Sequence, residues 1–179
     1  MSCTGPDVEL QHYNLDFTAM TQDVLSPHNH NHCIDQALTQ ARSLCEQQGV
    51  RLTAIRKRVL ELVWQSHKPV GAYDLLPALA EDGFNSAPPT VYRALDFLLE
   101  LGLVHRISSL NAFTGCTNPG HQHPSCFFLC RQCGIAQELD SAAVSRLSAE
   151  VEQSLGVTVE HQITELSGLC PKCTEQPLD

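Results

Sequence analysis

The chain has 179 residues, is 42% hydrophobic and carries a formal charge of −9. That length suits one medium domain or two small ones, and no apolar run approaches the ~20 residues a membrane span needs. The start, MSCTGPDVEL, has neither the basic nor the apolar region of a secretory signal, so a cytoplasmic location is expected. The charge is uneven. Residues 1–35 hold five acids and no Lys or Arg, residues 111–179 hold eight acids and three bases, and residues 36–110 hold eight of the eleven bases. Only this middle stretch could face phosphate at close range. Nine cysteines, an odd count in a chain without a secretory signal, argue against a disulfide framework and for thiolate metal ligation.

Residues 1–35 lack sustained periodicity and read as a mobile tail. Within them HNHNHC (His28, His30, His32, Cys33) could capture metal, but a solvated tail is the preferred reading, because such tracts bind weakly without a scaffold. CIDQALTQARSLCEQQGV then reads as a helix, with Ile34, Leu38, Ala41, Leu44 and Cys45 on one face. RLTAIRKRVLELVWQSH follows, with Thr53 as candidate N-cap and Ile55, Val59, Leu62 and Val63 as its apolar side. GAYDLLPALAEDG is a third, shorter helix; Pro77 inside it should kink it or delay its start. NSAPPTVYRALDFLLELG is the clearest element. Ser86 can cap it, Pro88 and Pro89 suit its first turn, and Val91, Ala94, Leu95 and Leu98 form a buried stripe. LVHRI and AFTGC, joined by SSLN, make a hairpin. Short helices followed by a hairpin describe a winged helix-turn-helix over residues 36–117, whose last helix would enter the major groove through its N-terminal residues.

After Cys116 the pattern changes. SCFFLC, IAQELD and VTVEHQITEL read as strands, and SAAVSRLSAEVEQSLG as an amphipathic helix with Val144, Leu147, Val151 and Leu155 on one face. Residues 118–179 thus form a small α/β unit, and the whole is an α+β protein. A unit of that size needs a metal or a partner subunit. Cys130-x-x-Cys133 and Cys170-x-x-Cys173 supply the metal site. Each knuckle offers two corners of a tetrahedron, and the intervening strand, helix and strand bring the second back beside the first. Four thiolates leave no open position, so this zinc should be structural, and no enzyme chemistry is expected. His105, Cys116, His121, His123, Cys126, Glu138 and His161 remain. Taken singly, each is as well explained as a surface residue, a core thiol or a solvated acid.

Together, PPTVYRALDFLLELGLVHRI, RLTAIR, the two knuckles and the His-rich loop resemble the ferric uptake regulator (Fur) family. AYDLL, PPTVYRALDFLLE and the position of Cys116 resemble its zinc uptake regulator (Zur) branch. The resemblance spans roughly residues 36–174. It implies a homodimer whose C-terminal unit is the dimerisation domain, zinc-dependent binding to palindromic operator DNA and repression of zinc-uptake genes, with two zincs per subunit. It makes Cys130, Cys133, Cys170 and Cys173 the structural ligands, and His105, Cys116, His123 and Glu138 the regulatory set. Tyr73 and Arg93 match base-contacting residues, with Thr90 and Tyr92 at phosphate or base contacts. Two histidines, one cysteine and one glutamate suit tetrahedral zinc better than iron. His121 rivals His123 as ligand. An iron or peroxide sensor of the same family and a metal-buffering module without operator binding are the alternatives.

Overall fold

A computed structural model describes residues 30–120, 125–139 and 142–175. Four helices come first: α1 (His30–Gln47), α2 (Ala54–Val63), α3 (Leu76–Glu81), preceded by a 3-10 turn at Ala72–Leu75, and α4 (Pro88–Glu100). Strands β1 (Val104–Ile107) and β2 (Ala112–Gly115) form an antiparallel hairpin pairing His105 with Thr114. Then come β3 (Ser125–Cys130), β4 (Ala136–Glu138), α5 (Ala142–Leu155), β5 (Ile163–Gly168) and α6 (Pro171–Glu175). Their sheet has the order β4-β3-β5, with β4 antiparallel and β5 parallel to β3. The parallel pairing requires a crossover, and α5 provides it.

The helical unit has one continuous core. Leu38 and Ala41 of α1, Val59, Leu60 and Val63 of α2, and Val91, Leu95 and Leu98 of α4 are buried in it, with Leu75, Leu79 and Phe113. The apolar positions recur at three- and four-residue intervals, so each helix turns one stripe inward. The hairpin is tied to this unit by a two-way backbone pairing of Val70 with Phe113. Trp64 lies so close to Gly115 that a Cβ there would stand 2.1 Å from the indole, so only glycine fits at the base of the wing.

Several local expectations hold and several are corrected. Pro77 falls at the first turn of α3, where its missing N–H costs nothing, and the residues before it wind as a 3-10 turn. The hairpin forms as expected, with Asn111 in the left-handed conformation closing the turn. The N-cap of α4 is Ala87 rather than Ser86, because Pro88 and Pro89 already occupy its first turn. Thr53 caps α2 by position but makes no side-chain capping bond. Residues 30–35, read as the end of a mobile tail, belong to α1, because Cys33 lies on the same buried stripe as Ala37 and Ala41. Residues 1–29 of that tail lie outside the described residues. β5 starts at Ile163, later than the alternation from Val157 suggested. Among the described residues nothing buries the apolar face of α5: Leu155 is 70% exposed.

Candidate metal centres and nucleic-acid interface

The four cysteines converge as their spacing predicts. β3 delivers Cys130, and a tight turn closed by the Gly134 N–H on the Cys130 carbonyl (2.9 Å) presents Cys133. Gly134 has φ +76°, a conformation other residues adopt only with strain. The parallel β5 ends opposite Cys130, so the chain returns beside the first knuckle. There Cys170 immediately precedes α6 and Cys173 lies in its first turn. The four sulfurs all lie within 4.8 Å of one another. Cys133 Sγ and Cys170 Sγ are 3.8 Å apart, which matches the separation of about 3.8 Å that two thiolates adopt on a tetrahedral zinc with ~2.3 Å bonds. The Cys170 N–H points at Cys130 Sγ. Burial pushes the Cys130 thiol up, but the N–H groups of Cys133, Cys170 and Gln132 outweigh it and bring it below the usual thiol range. Cys173 is pushed the other way by burial and by the neighbouring sulfurs. The geometry and donor type fit a closed four-thiolate zinc site.

A second group lies on the seam between the hairpin and the three-stranded sheet. β1 supplies His105, the residue after β2 is Cys116, and β4 ends in Glu138; their ligand atoms lie within 4.8 Å of one another. His105 Nε2 is 2.8 Å from Glu138 Oε1. The other carboxylate oxygen accepts the Thr117 N–H at 2.8 Å and the Thr117 hydroxyl at 2.7 Å. The far ring nitrogen of His105 meets the Ser125 hydroxyl at 3.1 Å. Burial disfavours a charged Glu138, yet the bonds from His105 and Thr117 prevail and hold its carboxyl down to about 2. Cys116 is pushed up to about 12, first by burial and then by the Glu138 charge. A nitrogen, a sulfur and an oxygen donor from three elements make a set that zinc accepts. His123, expected as the fourth ligand, and its rival His121 lie outside the described residues. Thr117 and Ser125 were missed by sequence reasoning, since hydroxyls that orient ligands carry no spacing signature.

The seam is also held directly. Ile107 of the wing packs with Phe127, Leu129 and Ala136 of the sheet. The N–H groups of Ser108 and Ser109 donate to the Glu165 carboxylate, and the Ala136 N–H donates to the His67 carbonyl at 2.8 Å. Of the other candidates, Cys126 is buried and His161 exposed. A third group, His30, Cys33 and His67, also brings its ligand atoms within 4.8 Å of one another.

Tyr73 is 64% exposed in the 3-10 turn before α3. Tyr92 and Arg93 are exposed in the first turns of α4, and Thr90 is half-buried. The Tyr73 and Tyr92 rings meet edge to face at 6.4 Å, so the two helix starts share one surface. Much of the neighbouring positive charge is already engaged. Arg58 pairs with Asp82 and Glu61, Lys57 pairs with Glu61, and Arg56 lies 3.5 Å over the Phe97 ring.

A winged helix-turn-helix followed by a small sheet bearing a four-cysteine cluster, with a mixed-donor cluster between them, defines a metal-binding winged-helix protein. The ferric uptake regulator family profile matches residues 47–166, and the chain belongs to that family. It is 39% identical over 143 residues to the zinc uptake regulation protein of Escherichia coli (strain K12), covering 78% of this chain and 82% of that protein. Identity to the peroxide-responsive repressor PerR of Staphylococcus aureus is 23% over the same number of residues. Among solved structures, a zinc uptake regulator complexed with zinc and DNA superposes with a TM-score of 0.75 at 38% identity, covering 79% of this chain and 95% of that one. Holo XcZur superposes with a TM-score of 0.71 at 43% identity, covering 79% and 99%.

Proposed function

We propose that this chain is a zinc-responsive transcriptional repressor, not an enzyme, that binds palindromic operator DNA as a zinc-loaded homodimer and represses zinc-uptake genes in the cytoplasm. The observation that carries this reading is the His105, Cys116 and Glu138 cluster, because it joins the wing to the sheet. Likeness to zinc uptake regulators at about 40% identity supports it.

In this reading residues 36–117 are the DNA-binding domain and residues 118–179 the dimerisation domain. Two zincs per subunit serve this function. Cys130, Cys133, Cys170 and Cys173 would hold one, closed and structural. His105, Cys116, Glu138 and His123 would hold the other. Zinc bound there supplies a cross-link between hairpin and sheet. The chain's own residues do the rest. His105 and Cys116 carry the position of the wing and recognition helix, and Glu138 carries that of the sheet. A common centre fixes the two units in one orientation and sets the spacing of the two recognition helices for two half-sites. Thr117 and Ser125 keep Glu138 and His105 aimed inward. Arg93 and Tyr73 would read bases, with Thr90 and Tyr92 at phosphate or base contacts.

The sheet supports the homodimer. β5 is one of its two edges among the described strands. Ile163 on it is 57% exposed, and Leu155 and Leu147 stand open on α5 beside it. A second copy of the same surface would cover the exposed edge and the apolar face together. Cys116 favours zinc over the iron and peroxide alternatives, because a buried thiolate is a softer donor than those sites use.

A gel shift on an AT-rich palindrome, with and without zinc, tests the reading. A zinc-dependent shift is expected, abolished by Cys116→Ser and weakened by Arg93→Ala by about 1–3 kcal/mol, the scale of one bidentate base contact. Operator binding that ignores zinc, or no binding at all, overturns it.

A further inference from the structure

We propose that His30, Cys33 and His67 form a third zinc site, which fastens the start of α1 to the loop after α2. His30 and Cys33 are three apart on a helix and therefore share a face. His32, between them, is exposed on another side and takes no part. His67 comes from the segment between α2 and the 3-10 turn at Ala72–Leu75. The three ligand atoms lie within 4.8 Å of one another. The His30 and His67 rings meet edge to face with centroids 4.6 Å apart, and Nδ1 of His30 is 3.2 Å from Nε2 of His67. Cys33 is only 5% exposed.

A plainer account makes Cys33 a core thiol and the imidazoles a hydrogen-bonded pair. It explains two side chains at a time. It does not explain why the thiol converges with both rings from two separate elements, with no carboxylate among the three. Two imidazoles and one thiolate are a typical donor set for a tetrahedral, borderline-soft divalent ion. Among the described residues the chain supplies three ligands, which leaves a fourth corner open, so this zinc exchanges more readily than one held by four thiolates.

The position gives the site a consequence. The His67 carbonyl accepts the Ala136 N–H, and Ala136 stands in β4 two residues before Glu138. The third site thus grips the helical side of the same seam that carries the mixed-donor cluster. Trp64, the only tryptophan in the chain, has its ring centroid 6.4 Å from that of His67, so metal entry there should alter its fluorescence.

The test is equilibrium dialysis of the full-length protein against zinc, with cobalt as a spectroscopic probe. Wild type should hold three equivalents per chain, one of them released first by a mild chelator together with the Trp64 response. Cys33→Ser and His67→Ala should each hold two, and Cys33→Ser should also lose part of the thiolate-to-cobalt charge-transfer absorption. If Cys33→Ser fails to fold, His67→Ala decides alone, because His67 is half-buried in a loop. Metal content and Trp64 response equal to wild type in His67→Ala overturn the third site. The regulatory reading is tested separately by Cys116→Ser. Loss of an equivalent in His67→Ala but none in Cys116→Ser would keep the third site and remove the proposed sensing one.

Discussion

The four-cysteine cluster and the seam cluster use overlapping chemistry in opposite structural settings. The first is built from two turns of one small sheet, and every ligand is a sulfur. Its backbone N–H groups already favour a thiolate at Cys130. The second draws one ligand from each of three elements across a seam. Without metal it satisfies itself: Glu138 is held by His105 and Thr117, and Cys116 stays a neutral thiol. A site whose ligands belong to one local unit is suited to holding that unit together. A site whose ligands belong to two units, with hydrogen bonds to fall back on, is suited to being filled and emptied.

The two clusters should differ most in what they contribute to stability. Cys173→Ser should abolish the cooperative unfolding of residues 125–175 and leave their amides unprotected in hydrogen exchange, because a unit this small depends on its metal. Cys116→Ser should leave that protection intact and lower overall stability by no more than about 1–2 kcal/mol, the scale of a few altered buried contacts. Equal losses from the two substitutions would erase the distinction between the clusters.

A smaller effect sharpens it. Because the metal-free Cys116 thiol is pushed up to about 12, it is protonated throughout the neutral range and must release that proton to become a ligand. The apparent zinc affinity of the seam site should therefore rise by about tenfold per pH unit from this group alone. Cys130 is already shifted toward its thiolate, so the four-cysteine site should release fewer than four protons. Calorimetry in buffers of different ionisation enthalpy counts them. Zinc uptake at the seam without proton release would contradict the buried-thiol description.

The two clusters also differ in how far they could be read from sequence. The knuckles announce themselves, because a C-x-x-C turn ending in Gly134 needs only local geometry and its partner only needs returning. The helices and hairpin were legible through apolar spacing and turn residues, and even Pro77 marked the place where α3 begins. The seam cluster had no spacing of its own. His105, Cys116 and Glu138 could be picked out through family resemblance, and Thr117 and Ser125 could not be picked out at all. His67 was invisible for the same reason, being 34 residues from Cys33 with no motif between them. The stripe on α5 was read correctly as a stripe, but periodicity does not say what covers it, and among the described residues nothing buries Leu147 or Leu155.

Filling the seam site and binding the operator should favour the same arrangement of the two units. Linkage then requires reciprocity. The direct measurement is the zinc affinity of the seam site with and without saturating operator DNA, using a competing chelator and with the four-cysteine site occupied throughout. Operator DNA should tighten zinc binding by the same factor by which zinc tightens DNA binding, on the order of 5- to 150-fold. A zinc affinity that operator DNA leaves unchanged would contradict it.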